Sequence, residues 1–503
     1  MLPSRPNFCV NISRYINRVK PQPDCRGFTM TSVEEPVKQE RLYRNPRVLV
    51  LSLDAMLISL GFGIVAPSMA FYLIALEGGL TQPPGPGYIV APEIVASFSL
   101  ILGIMMASFM GTRTLLARYW GAYSDRRGRK PIILAGLIGY FFLLILFGLA
   151  QNWIHLLFVR ALQGVTSAMV WPTAEAALMD IVGPNRRGEG LGLFMMVSTF
   201  GWILGPGVGG MLYNFCRDIL LLSVPDVFRV PYFAGALIIL PAIILTAIVL
   251  KETSPGIIDE TKKQEEILEI DEPSVPVLSE ISNESEMTPK VRRMIYALYL
   301  MSVFNGVAMG LSMPIFQLFL MSKITTDIGL IGLVISGAGG IGLLFSIPAG
   351  RYSDRRGRKG LAVWGAVGSR ISLGVLPLAS DLAQTSVIWV GQSAAMAASQ
   401  PAMRAIQADV VPWNLRGKLF GTIQAFFNAG ATVGPIVGGV LFAYFSLILI
   451  PIGPFFIEGL VIPFWLASVL GIIGAFLLWK YVEETHPVKI IKAEDEEPVV
   501  DAT

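Results

Sequence analysis

The stretch GAYSDRRGRKP at residues 121–131 returns as GRYSDRRGRKG at residues 350–360. A second pair, FGWILGPGVGG (200–210) and AGATVGPIVGG (429–439), is separated by the same 229 residues. Between the two pairs the register holds without a gap: Pro172 matches Pro401, Asp180 matches Asp409, Asn185 matches Asn414, and Arg187-Gly188 matches Arg416-Gly417. The chain is therefore a duplicated unit, and whatever one half folds into, the other repeats.

The unit belongs in lipid. Of 503 residues, 53% are hydrophobic and only 15% charged, with a mean hydropathy of +0.61, where a soluble chain carries about 25% charged residues. A bilayer core about 30 Å thick needs roughly 20 apolar residues per helix. Such stretches fall near 48–76, 94–118, 131–150, 155–180, 190–213, 230–250, 293–320, 328–349, 361–380, 386–409, 419–446 and 458–481, which makes twelve spans. The domains expected are an N-terminal segment (1–47), an N-terminal six-helix bundle (48–250), a polar linker (251–292), a C-terminal six-helix bundle (293–482) and a tail (483–503). Residues 1–45 show no cleavable signal peptide, and Met30 reads as an ordinary start, with 1–29 an extension. The fold class is an all-α membrane protein of twelve transmembrane helices. Two six-span repeats of like orientation are related by a pseudo-two-fold axis along the membrane normal, with a substrate site between them near the midplane.

Basic residues set the orientation. Arg126, Arg127, Arg129 and Lys130 follow span 2, Arg186 and Arg187 follow span 4, and Arg355, Arg356, Arg358 and Lys359 follow span 8, all on one side. The opposite loops, such as 77–92, carry few Lys or Arg, so both termini are expected to be cytoplasmic, in a multi-pass protein of the cell membrane. A net charge of +3 gives no footing for nucleic acid, and three Cys with two His supply little for a disulfide framework, a metal site or a Ser-His pair. No enzyme, metal or cofactor is expected.

The loop at 121–131 resembles the Gly-x-x-x-Asp-Arg-x-Gly-Arg-Arg/Lys signature of the major facilitator superfamily, and 350–360 repeats it. RALQG (160–164) looks like that superfamily's helix 4 signature, GWILGPGVGG (201–210) is similar to its antiporter-associated helix 5 signature, and LDAMLISLGFGIVAPSM (53–69) resembles the first helix of drug/proton antiporters of the tetracycline-efflux kind. The resemblance covers about 48–482. It implies a charge cluster, Gly121, Asp125, Arg126, Arg129 and Asp180 with its copy Gly350, Asp354, Arg355, Arg358 and Asp409, that latches the two bundles. It also links Arg160 to proton transfer, and it matches Asp54 to an acidic residue of the first helix.

Other assignments come from the residues themselves. An ionised group in hydrocarbon costs at least about 2.5–3.5 kcal/mol unless paired or hydrated, so Asp54, Arg113 and Glu175 are coupling candidates. Counted from the span ends they share a depth of roughly 10 Å, where the three can meet. A plain ion pair of Asp54 with Arg113 is the structural alternative, and for Arg160 it is hydrogen bonding to a neighbouring helix. Glu175 shifted by 229 is Arg404, which gives an inter-bundle charge pair expected to close and open with the cavity. Gly201, Gly205, Pro206, Gly209 and Gly210, with Gly430, Gly434, Pro435, Gly438 and Gly439, lie at small-x-x-x-small spacing and are read as packing at a bundle interface that must slide. Asn305, Gln317, Gln392, Gln424 and Asn428 supply polar groups to a substrate cavity in the C-half. Arg370 has no assigned partner.

The reading that follows is a monomer exporting small amphipathic compounds in exchange for protons. A proton-coupled or facilitative carrier of a defined metabolite (sugar, organic acid or peptide) and a membrane sensor or scaffold that no longer transports stand as alternatives.

Overall fold

Asn45 opens the first helix: its side chain accepts the Arg47 N–H at 3.0 Å, and Pro46, whose missing donor costs nothing there, takes the first position. The same device recurs at Asn152, Thr288, Asp327 and Asp381, each accepting a backbone N–H three residues on. The structure, a computed structural model, describes residues 42–183, 186–254, 288–410, 416–452 and 454–485. Most of the segments expected at 1–47, 251–292 and 483–503 lies outside the described residues.

Among the described residues there are twelve long helices. In the first half α1 runs Pro46–Val65 and resumes as Met69–Leu76, followed by α2 (Pro92–Arg127), α3 (Arg129–Gly148), α4 (Trp153–Val182), α5 (Arg187–Asp218) and α6 (Asp226–Val249). The second half repeats the order with α7 (Pro289–Phe319), α8 (Ile328–Arg356), α9 (Lys359–Val375), α10 (Leu382–Asp409), α11 (Arg416–Phe445) and α12 (Val461–Tyr481). Eleven are apolar enough to cross a membrane on composition alone. The exception, α10, carries Gln384, Gln392, Gln400, Arg404 and Gln407. Pro67 breaks α1, since it supplies no N–H and its ring crowds the preceding turn.

Three expectations change. The signature is no loop: GAYSDRR is the last turns of α2, and a single glycine, Gly128 at φ 99°, turns the chain into α3. Gly357 at φ 108° does the same between α8 and α9. Beyond α11, where only a connection was expected, Leu449–Ile452 (β1) pairs antiparallel with Phe455–Glu458 (β2). The third change concerns the glycine ridges, whose main partners lie inside each bundle. A Cβ on Gly201, Gly205 or Gly209 would fall 2.2 Å from the Met56 carbonyl oxygen, 2.6 Å from Gly63 Cα and 1.9 Å from the Ile64 carbonyl oxygen, all on α1. Gly430, Gly434 and Gly438 press on α7 in the same way. Four-residue spacing keeps each trio on one helix face. The next residue is turned about 100° away, and so Gly210 meets Ile328 and Gly329 of α8 while Gly439 meets Ser99 of α2.

Between the halves, α2 packs on α11 and α5 on α8. These contacts gather at the end away from the basic signature. There Ser99 donates to the Gly439 carbonyl (3.0 Å), Ser336 accepts the Gly207 N–H (2.7 Å), and Gln317 donates to the Ala66 carbonyl that the α1 break frees. Thr326 donates to the Tyr88 carbonyl (2.6 Å), and Asp327 receives Asn214 (3.3 Å) with Arg217 at 3.9 Å. One hydrophobic core runs through both halves at that end, while at the basic end the C-half has a separate core around Leu298, Ala362 and Ile406. Gly121, Gly188, Gly192 and Gly421, near the basic end, face open space. The molecule is closed at one end and parted at the other.

Candidate functional site

Asp54 lies on the α1 face that packs on α6. Gly61 touches Gly235 and Ile239, and two turns along each helix the same contact is Asp54 against Thr246. The carboxyl is buried, 1% exposed, and accepts the Thr246 hydroxyl through Oδ2, while Oδ1 has no protein partner. The expected meeting with Arg113 does not occur. Helix rotation aims Asp54 at α6, where its partner is Thr246 and not Arg113.

Glu175 is the carboxylate that Arg113 approaches. Half-buried on α4, it lies within electrostatic reach of both Arg113 on α2 and Arg404 on α10, and it forms an ion pair with neither. The two halves thus bring Glu175 and Arg404 opposite one another across the parted end.

Arg160, also on α4, is 2% exposed. It donates to Gln163 Oε1 at 2.6 Å and to Met106 Sδ at 3.4 Å, and its guanidinium carbon lies 4.9 Å from the Phe62 ring centroid and 5.1 Å from that of Phe109. Its hydrogen bonds go to side chains, not to helix carbonyls. Arg370 gains an account as well: it packs on Gly471 of α12 and donates to Asn305 of α7 at 3.1 Å, tying three helices together.

Arg129 Nε meets Asp180 at 2.5 Å and Arg129 Nη2 meets Asp125 at 3.3 Å. In the copy Arg358 pairs with Asp409 and lies 3.9 Å from Asp354. Gly121, Arg126, Gly350 and Arg355 sit on the same helix ends, with both arginines exposed. Arg129 ties α2, α3 and α4 together, and Arg358 at the start of α9 ties α8 to α10, so each arginine pairs within its own bundle. Sequence reasoning missed two members. Glu252, just past α6, accepts the backbone N–H groups of Arg129 (2.7 Å) and Lys130 (3.3 Å) at the start of α3, where a carboxylate suits the helix dipole. Glu484, just past α12, accepts those of Arg358 (2.9 Å) and Lys359 (3.2 Å). The signal was present as ETSP at 252–255 and ETHP at 484–487. Partial burial pushes the Glu252 carboxyl up, but N–H groups of Arg129, Ser254, Thr253 and Lys130 outweigh it and hold it below the usual Glu range.

The five cavity amides separate. Asn305 is taken by Arg370 and Gln317 by Ala66, whereas Gln392 keeps a buried oxygen without a protein partner. Gln424 donates to Asn428 at 2.9 Å along the exposed face of α11. Among the described residues no cluster of His, Cys, Asp and Glu could hold a metal ion.

Comparison with known proteins places these features in a setting. The family model described as "Major Facilitator Superfamily" matches residues 51–303 and again 298–502. The quinolone resistance protein NorA of Staphylococcus aureus (strain MRSA252) is 25% identical over 400 residues, covering 79% of this chain and 90% of that protein. The multidrug resistance protein MdtG of Citrobacter koseri is 25% identical over 380 residues, covering 75% and 87%. Among solved structures, the inward open xylose transporter XylE from E. coli aligns with a TM-score of 0.59 at 15% identity, over 89% of this chain and 98% of that one. A bacterial homologue of the human lysosomal transporter Spinster, in an inward-facing and occupied conformation, aligns with a TM-score of 0.62 at 15% identity, over 88% and 97%. At such identities the structures speak for the fold alone.

Proposed function

The chain belongs to the major facilitator superfamily, a multi-pass membrane transporter of small molecules and not an enzyme, and on that footing we propose that it exports amphipathic compounds in exchange for protons. The observation that carries this reading is Asp54, a carboxyl inside a spanning helix whose described partner is one hydroxyl, Thr246. Desolvation and nearby charge set a carboxyl's hold on its proton, so a rearrangement that wets the α1–α6 seam changes that hold. The relatives named for quinolone and multidrug resistance support the substrate class.

In this reading the basic end faces the cytoplasm, following the positive-inside rule, and the open cavity is the loading state. Substrate enters between the bundles, the parted end closes as Glu175 and Arg404 draw together, and the opposite end releases substrate and admits protons. The Arg129 and Arg358 clusters brace the helix ends that swing.

The test is transport in proteoliposomes under an imposed pH gradient, comparing the native chain with Asp54→Asn. Gradient-driven export is expected to fall at least about tenfold, while exchange of labelled for unlabelled substrate without a gradient persists. Unchanged gradient dependence in the variant removes Asp54 from the coupling.

A further inference from the structure

The repeat register, carried past the glycine ridges, pairs Tyr213 with Phe442 and Arg217 with Ser446. Each pair stands where a seam between the halves reaches the closed end, the first where α5 packs on α8 and the second where α11 packs on α2. The first seam is filled. Arg217 pairs with Asp218 (2.6 Å), donates to the Pro84 carbonyl (3.0 Å) and lies 3.9 Å from Asp327 at the start of α8. Its guanidinium carbon is 5.9 Å from the Tyr213 ring centroid.

The second seam has a hole in that place. A cavity of about 260 Å³ opens there, lined by Glu93 of α2, Lys323 beyond α7, Phe442 of α11, Ser446 just past it, and Glu458 of β2. Ser446 is far shorter than arginine, and its buried Oγ has no protein partner. Phe442 supplies a ring where Tyr213 faces the guanidinium in the other half. Glu93, in the first turn of α2, supplies a carboxylate as Asp327 does at the start of α8. Lys323 pairs with Glu458 at 2.9 Å and donates to the Pro377 carbonyl at 3.4 Å, whereas among the described residues Glu93 forms no ion pair. The lining thus holds two carboxylates against one ammonium, an excess of one negative charge beside an aromatic ring, and both features attract a cation.

We propose that this cavity binds a small organic cation, a guanidinium or primary ammonium on an apolar body, whose charge stands where the second half lacks an arginine. Its volume lies just below the range of about 300–1,000 Å³ usual for drug-sized ligands, which keeps the guest small. Glu93 comes from one half and the other four residues from the other. The guest therefore braces the second seam as Arg217 braces the first. This site is at the closed end, apart from the open cleft, and goes beyond the export reading without resting on it.

The probes are benzylguanidine, a cation at neutral pH, and benzylurea, its neutral isostere, titrated by calorimetry into the purified full chain with no pH gradient. The native chain is expected to bind the guanidinium at least about tenfold tighter than the urea, because hydrogen bonds to charged groups exceed neutral ones by that margin. Glu93→Gln should cost the guanidinium about fivefold while urea binding stays within about twofold. Ser446→Arg supplies the missing guanidinium from the chain itself and should abolish binding of both probes. If Ser446→Arg fails to fold, seen as a collapsed Tm, Glu458→Gln decides beside Glu93→Gln: it leaves Lys323 uncompensated and should lose the guanidinium. Equal binding of the two probes, binding of neither, or a preference that survives Glu93→Gln overturns the site. Bracing has its own readout. With native cysteines replaced, Ser336→Cys at the closed end should react several-fold more slowly with a maleimide when benzylguanidine is bound; an unchanged rate overturns the bracing.

Discussion

Glu175 and Arg404 sit at matching positions of the two halves, opposite in charge and not yet in contact. Their attraction at close range in a low dielectric exceeds its value in an open, wet cavity. Each single reversal, Glu175→Arg or Arg404→Glu, is therefore expected to cut transport at least about tenfold by setting like charges against one another. The double reversal should recover a substantial part of native activity; a double no better than the singles dismisses the pair. Glu252 makes a prediction of its own. Its depressed folded value means that it adds stability above the unfolded Glu value of about 4.3, and that this stability drains away as pH falls through the folded value. Glu252→Gln should lower stability by about 1–2 kcal/mol near neutrality, seen as a reduced Tm in detergent, and the gap from the native chain should narrow in acid below about pH 4. At this scale the sequence showed which charges lay in the membrane but not which way they point. Asp54 faces Thr246 because α1 is rotated so that Gly61 seats on Gly235, a relation that no span count contains.

Elements were legible where glycine, proline and apolar runs are strong. The twelve stretches all fall on long helices, eleven of them apolar enough to span, yet the signature was misread as a loop because its run of polar residues looks like one. The helical periodicity of a charged, water-exposed end is carried by backbone hydrogen bonding and leaves no apolar stripe to read. Glycine spacing marked a close-packing face, but Gly201, Gly205 and Gly209 meet α1 of their own bundle while Gly210 meets α8 of the other, since spacing fixes a face and only docking fixes what the face meets. That distinction is measurable. Gly209→Ala puts a methyl 1.9 Å from the Ile64 carbonyl oxygen, and Gly205→Ala puts one 2.6 Å from Gly63 Cα, with backbone on both sides. Each should cost about 1–3 kcal/mol and lower the Tm. Gly192→Ala on the same helix meets nothing within 4 Å and should be neutral or mildly stabilising. Equal losses at all three would show that α5 does not seat on α1 in this manner.

For the whole molecule, the asymmetry between a closed and a parted end is the feature that function turns on. A Cβ on Gly207 would lie 3.3 Å from Ser336 Cβ across the closed end, close to the separation of a disulfide. With native cysteines replaced, Gly207→Cys with Ser336→Cys is expected to cross-link on oxidation, stop transport and recover on reduction; transport that continues through the cross-link would rule out separation of α5 from α8 as part of the cycle. Sequence alone determined the duplication, the twelve spans and the placing of charge at one end, because these follow from composition and register along a chain in lipid. Tertiary structure decided which end is shut, that Arg129 and Arg358 brace within their own bundles, and that Arg160 stands without a carboxylate. Those outcomes depend on the rotation and docking of whole helices, which many residues set together and no single motif spells out.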